Sequence, residues 1–146
     1  MREVFKNIDL FCPGSNEFLN HFIYTLGYSD IELESPKMED KIKKEVLITV
    51  KHLIELGVLN IKSWYNRPEM SQKEITIDEV MKELDKVWFL GARYPDFYNM
   101  VVFGVPKWYD KALKDEGFTI NTDWKTFVNL KIGDLEKWIE KNNPIS

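Results

Sequence analysis

The alternation of apolar and polar positions divides the chain into segments that can be read one at a time. In SNEFLNHFIYTL, Phe18, Leu19, Phe22, Ile23 and Leu26 recur at helical spacing. This predicts a first helix over residues 15–26, opened after Pro13-Gly14 by Ser15 or Asn16 and stopped at Gly27. A second, longer helix is expected from Ser35, its cap, through Pro36 at the first helical position to Gly57. Ile42, Val46, Val50, Leu53 and Ile54 mark its buried stripe, widened by Leu47 and Ile48, and the helix should lie centrally. Glu39–Lys43, Asp40–Lys44, Lys41–Glu45 and Lys51–Glu55 stand four apart and are expected to pair on its wet side.

Residues 58–65 alternate as a half-buried strand does, and Asn66-Arg67-Pro68 breaks them off. Thr76 followed three residues later by Glu79 reads as a capping box. The helix it opens buries Ile77, Val80, Met81, Leu84, Val87 and Trp88 and ends at Gly91. Residues 99–105 are apolar on both alternating faces, as expected of a strand covered on both sides. Pro106 opens a short helix closed by Gly117, residues 126–132 read as another strand, and residues 134–142 as a last helix bearing Leu135, Trp138 and Ile139. The expected fold is α+β: a single globular domain over residues 1–146, with about five helices packed around a small three- to four-stranded sheet.

Composition adds limits. With 44% hydrophobic residues and 14% aromatics the chain has a folding composition. Its net charge of −4 disfavours direct binding of nucleic acid, which needs a cationic footprint, and favours a basic partner. One cysteine, Cys12, allows no internal disulfide and suits a reducing compartment. No stretch approaches the length of a membrane span, so a cytoplasmic protein without membrane partners is expected.

Catalytic motifs are missing. His21 and His52 stand alone in helical patterns, with no second histidine or cysteine at metal-ligand spacing. Cys12 between Phe11 and Pro13 reads as a small packed thiol, Gly14-Ser15-Asn16 as a cap, and no glycine-rich phosphate loop occurs. The expectation is no enzyme, no cofactor and no metal.

Charge is nonetheless uneven. Residues 1–35 hold two basic and six acidic groups, and residues 66–90 hold four and six. In YSDIELES, Asp30, Glu32 and Glu34 alternate and would share one face of a strand, a solvated edge suited to docking a basic partner. Asp78, Glu79 and Glu83 form a second acidic run. The stretch from Trp88 to Asp110 is dense in aromatics. Trp88, Phe103 and Trp108 are assigned to the core, while Phe89 and Phe97 suit either place. Tyr94, Tyr98 and Tyr109, beside Asp96 and Asp110, are read as surface tyrosines available for recognition.

The layout of LIELGVLNIKSW, then a capped helix ending LDKVWFLG, then YPDFYNMVVFGVPKW resembles small bacterial immunity proteins of contact-dependent inhibition and polymorphic toxin systems. It spans residues 46–108 and carries over no functional residue. It implies a cognate toxin domain, often a nuclease, blocked by its partner. The functional expectation is a non-catalytic protein-binding module of this kind. Two alternatives stand beside it: a winged-helix-type regulator, suggested by the helix-to-strand passage ELGVLNIKSWYN, and an enzyme whose site is assembled from residues distant in sequence.

Overall fold

The computed structural model describes residues 2–71 and 74–144. After two 3-10 turns, Arg2–Lys6 and Ile8–Phe11, come α1 (Leu19–Thr25), α2 (Asp30–Leu33) and α3 (Pro36–Glu55). Strand β1 (Asn60–Trp64) follows, then a 3-10 turn (Pro68–Ser71), α4 (Ile77–Val87), α5 (Tyr94–Phe97) and β2 (Val101–Gly104). The chain closes with α6 (Lys107–Asp115), α7 (Trp124–Phe127), a π-helical turn (Val128–Ile132) and α8 (Leu135–Asn142).

The fold is α+β as expected, but with eight α-helices and a two-stranded sheet among the described residues. The difference has identifiable causes. Three of the helices, α2, α5 and α7, are single turns of four residues, too short to show a period. The strand expected over residues 126–132 is helical. Asp123 caps that segment by accepting the Thr126 N–H at 3.0 Å, and Gly133, at φ +79°, closes it by donating to the Val128 carbonyl at 2.7 Å. Phe127 and Val128 are adjacent and both buried, which a strand with one wet face would not allow.

β1 and β2 are antiparallel, pairing Asn60 with Gly104 and Trp64 with Val101 across a bulge between Ile61 and Ser63. On its other side β2 takes one bridge: Glu17 and Phe103 exchange N–H···O bonds of 3.0 and 2.8 Å. β2 is thus flanked on both edges; Val101 and Phe103, on one face, are fully buried, while Val102 on the other is half-buried. The same bridge holds Glu17 extended, so α1 starts at Leu19 and not at residue 15.

Helix α3 does run along the core, burying Ile42, Val46, Thr49, Val50 and Leu53, while Ile48 stays 67% exposed. Its expected ion pairs divide. Asp40–Lys44 forms at 2.9 Å. Glu39 and Lys43 are instead drawn away from each other towards the turn after α4. Glu39 is buried and accepts from the Gly91 N–H at 2.8 Å and from Arg93 Nη1 at 3.0 Å. Lys43 Nζ donates to the Asp85 and Trp88 carbonyls, both at 2.9 Å, and so closes the C-terminus of α4. Glu45 accepts from the Tyr28 hydroxyl. One contiguous core joins these elements, from Val4 and Phe11 to Trp138 and Ile139.

Candidate docking face

The short helix α2 exists because Ser29 and Glu32 make a reciprocal capping box: Ser29 Oγ accepts the Glu32 N–H at 3.4 Å, and Glu32 Oε1 accepts the Ser29 N–H at 3.1 Å. This overturns the expected acidic strand. Asp30, Glu32 and Glu34 do not line one face of a strand; Glu32 is spent on the cap, while Asp30 and Glu34 remain exposed. Asp30 faces α1, where its Oδ1 accepts the Tyr24 hydroxyl at 2.7 Å.

Across α1 stands α5. Phe18, just before α1, packs edge-on against Tyr98 with ring centroids 4.6 Å apart. Tyr98 in turn packs edge-on against Tyr94 at 5.3 Å, and the two hydroxyls are 2.5 Å apart. Asp96 holds α5 in place by accepting the Arg93 N–H at 2.8 Å. Tyr24, Tyr94 and Tyr98 are 39%, 52% and 38% exposed, so each leaves a ring face in water while its hydroxyl is engaged or near a partner. Burial, and then the bond to Asp30, pushes the Tyr24 phenol up to about 12; the nearby Tyr94 adds to this and the Asn20 carboxamide subtracts. The Tyr98 phenol is raised chiefly by its hydrogen bond with Tyr94. The Tyr24 and Tyr98 phenols therefore stay protonated at ordinary pH.

The bonds from Glu39 to Gly91 and Arg93 press the turn after α4 against the first turn of α3, beside α2. That turn exposes Phe89 and Leu90, and α2 exposes Ile31. One end of the molecule therefore carries three tyrosines, several apolar side chains and the exposed carboxylates of Asp30 and Glu34.

The remaining expected contact residues lie elsewhere. Asp78 and Glu79 sit on the first turn of α4, where Glu79 completes the Thr76 capping box. Glu83 is buried and paired with Arg67, so it fastens α4 to the turn after β1. Tyr109 is no surface residue: it is 0% exposed and its hydroxyl donates to the Phe11 carbonyl at 2.6 Å. Its position on the inner face of α6 places it against Trp138, with ring centroids 6.0 Å apart. Of the aromatics assigned to the core, Trp88 and Phe103 are buried, while Trp108 is half-buried with its indole N–H on the Gly57 carbonyl at 2.8 Å. Phe97 is buried and Phe89 exposed.

Sequence reasoning gave no role to Glu17 or Tyr24 and read His21 as a lone helix residue. The spacing of three puts His21 and Tyr24 on one side of α1, whereas Glu17 precedes the helix in its bridge to Phe103, which helical spacing does not reveal. His21 Nδ1 lies 2.6 Å from Glu17 Oε2 and 3.3 Å from the Phe18 nitrogen. Among the described residues no group of three or more His, Cys, Asp or Glu side chains is placed to hold a metal, and no helix is long and apolar enough to cross a membrane. Comparison with known proteins finds no matching family model, curated protein or solved structure.

Proposed function

We propose that the chain is a non-catalytic protein-binding module, a cytoplasmic immunity protein that neutralises a cognate toxin domain by covering a basic surface of it. The observation that carries this reading is the meeting of α1, α2 and α5, where half-exposed Tyr24, bonded to Asp30, stands near the half-exposed pair Tyr94 and Tyr98. Tyrosine supplies large contact area with few rotatable bonds, which makes it a common hot-spot residue. A carboxylate among such rings selects a cationic partner and repels an anionic one. The regulator reading gains nothing comparable. β1 and β2 are joined through α4 and α5 and not by the short hairpin of a wing.

The test is co-expression with the toxin domain that this reading requires, sought in the reading frames beside the gene. Cells producing both should survive, and the two proteins should elute as one complex. Tyr98→Ala should weaken the complex by about 2 kcal/mol, the scale of one aromatic hot spot, while the free variant keeps its fold. Survival that does not depend on this chain, or a complex indifferent to Tyr24, Tyr94 and Tyr98 together, removes the reading.

A further inference from the structure

On elements other than α1, α2 and α5, a pocket of about 400 Å³ opens between residues 13–15, the end of β2, α6 and the turn at residues 118–120. That size falls among small-molecule sites, roughly 300–1,000 Å³. Its charged lining is one-sided although the chain is acidic: Lys62, Lys107 and Lys114 face Asp110 alone. Asp110 is engaged, with Lys114 Nζ 3.0 Å away. Lys107, on the first turn of α6, has no ion pair or side-chain hydrogen bond among the described residues. No histidine or cysteine lines the space.

Lys62 is held in place at this pocket. Its Nζ donates to Asn16 Oδ1 at 2.6 Å, a neutral acceptor that fixes the ammonium without cancelling its charge. The lysine stem lies flat over Gly104 of β2. A Cβ at Gly104 would stand 2.8 Å from Lys62 Cγ and closer still to Cδ, while the glycine's own backbone is not left-handed. The glycine therefore makes room for the lysine. A second feature is apolar: Val105, Phe118 and Ile120 line the same space. Ile120 is 96% exposed, yet its turn is pinned. The Thr122 N–H donates to the Thr119 carbonyl at 3.0 Å, and the Thr119 N–H to Thr122 Oγ1 at 3.1 Å. A fixed turn thus holds an apolar side chain in water at the edge of a cationic pocket.

We infer that this pocket binds a phosphate monoester borne on a small apolar body. Lys62 comes from β1, and Lys107 and Lys114 from α6. An ammonium is a compact point charge suited to phosphate, whereas the guanidinium fork is the better match for a planar carboxylate, and no arginine lines the pocket. The lining carries an excess of two positive charges, and a phosphate monoester carries about −1.5 to −2 at neutral pH. With the phosphate among the lysines, the ester's body covers Val105, Phe118 and Ile120 and removes their apolar surface from water. None of these residues belongs to the docking face, so the site and the immunity reading stand or fall separately.

The probe is phenyl phosphate, titrated into the full chain and followed by NMR. Saturable shifts should centre on Lys62, Val105 and Ile120. Phenyl sulfate, with one negative charge on the same ring, and inorganic phosphate, with no ring, should both bind more weakly. Affinity for phenyl phosphate should rise between about pH 5 and 7.5 as its second proton leaves near pH ~6, while that for phenyl sulfate stays level. Lys62→Met keeps the stem over Gly104 and removes only the ammonium. It should weaken phenyl phosphate roughly tenfold, the effect of losing one charge-assisted hydrogen bond; Lys107→Met should act likewise, and Lys44→Met on α3 should change nothing. N-acetyl-phosphotyrosine methylamide separates two sources of the same chemistry. Tighter binding than phenyl phosphate identifies a phosphorylated side chain of a partner, weaker binding a free small molecule, and either upholds the site. Equal affinity for phenyl sulfate or inorganic phosphate, shifts spread over lysines of the whole surface, or no saturation overturns the inference, and none of these outcomes needs a variant that folds.

Discussion

The residue that best separates structure from recognition is Tyr109. Sequence placed it with Tyr94 and Tyr98 because all three precede or follow an aspartate near an element end. What differs is the side of the helix on which it falls: Tyr109 and Leu113, four apart on α6, are both buried, and that spacing was the available signal. Buried against Trp138 and bonded to the Phe11 carbonyl, it ties α6 to the N-terminal turns. Tyr109→Phe leaves that carbonyl without its donor and should cost about 1–2 kcal/mol, read as a lower midpoint in denaturant at unchanged slope. Its phenol is raised well above the usual value by burial and secondarily by Cys12. The sign follows: at pH above about 10 the unfolded chain releases a proton that the native chain retains. The stabilisation is therefore complete below that pH and is lost as pH rises towards the folded value. In an alkaline jump, tyrosinate absorbance should show a fast phase from the other tyrosines and a slow phase coincident with loss of helical circular dichroism. Tyr109→Phe should remove the tyrosinate part of the slow phase; a wild-type titration without any slow phase would contradict the burial.

Among the elements, those with caps and a sustained period were legible. Thr76 with Glu79 opens α4, Pro36 opens α3 and Asp134 opens α8, each as its local chemistry dictates. One-turn helices were not legible, because four residues show no period, and the helical segment through residue 132 was misread because Val128, Leu130 and Ile132 alternate as in a strand, although Trp124, Phe127 and Val128 keep helical spacing. The ion pairs of α3 were misplaced for a related reason: spacing of four identifies neighbours on a helix but not the partner another element brings closer. Glu39 and Lys43 both grip the turn after α4, which in turn sets where α5 and its tyrosines stand. Glu39→Ala strips the acceptor from the Gly91 N–H and the Arg93 guanidinium and should cost about 2 kcal/mol, since Arg93 is partly hydrated. Hydrogen exchange at the Gly91 amide should lose its protection in this variant. Lys43→Met unfastens the Asp85 and Trp88 carbonyls, and because both changes loosen one turn their costs should be non-additive by at least about 0.5 kcal/mol. Strict additivity in the double-mutant cycle would mean that the two side chains act on separate structures.

For the whole molecule, what sequence made visible was a sign of charge and a supply of aromatics, and what it hid was their assembly. Asp30 and Tyr94 are distant along the chain, and only the packing of α1 against α2 and α5 brings both to Tyr24. The acidic run on α4 that looked equivalent is divided, with Glu83 committed to Arg67. Under the docking reading proposed above, a net charge of −4 and the exposed Asp30 carboxylate beside Tyr24 give the two residue types different jobs. Charges act at long range on encounter, whereas rings act only after contact. Association with a basic toxin domain should therefore slow by at least roughly tenfold as salt rises from about 0.01 to 0.15 M, where the Debye length contracts from roughly 30 to 8 Å, with little change in dissociation. Replacing Asp30→Asn and Glu34→Gln together should flatten that salt dependence and leave dissociation at high salt close to that of the unaltered chain, apart from the loss of Asp30's own contact. Tyr98→Ala should do the reverse, quickening dissociation while keeping the salt slope. Stopped-flow measurement of both rate constants separates the two roles, and an association rate indifferent to salt would show that the carboxylates near the tyrosines do not steer the partner.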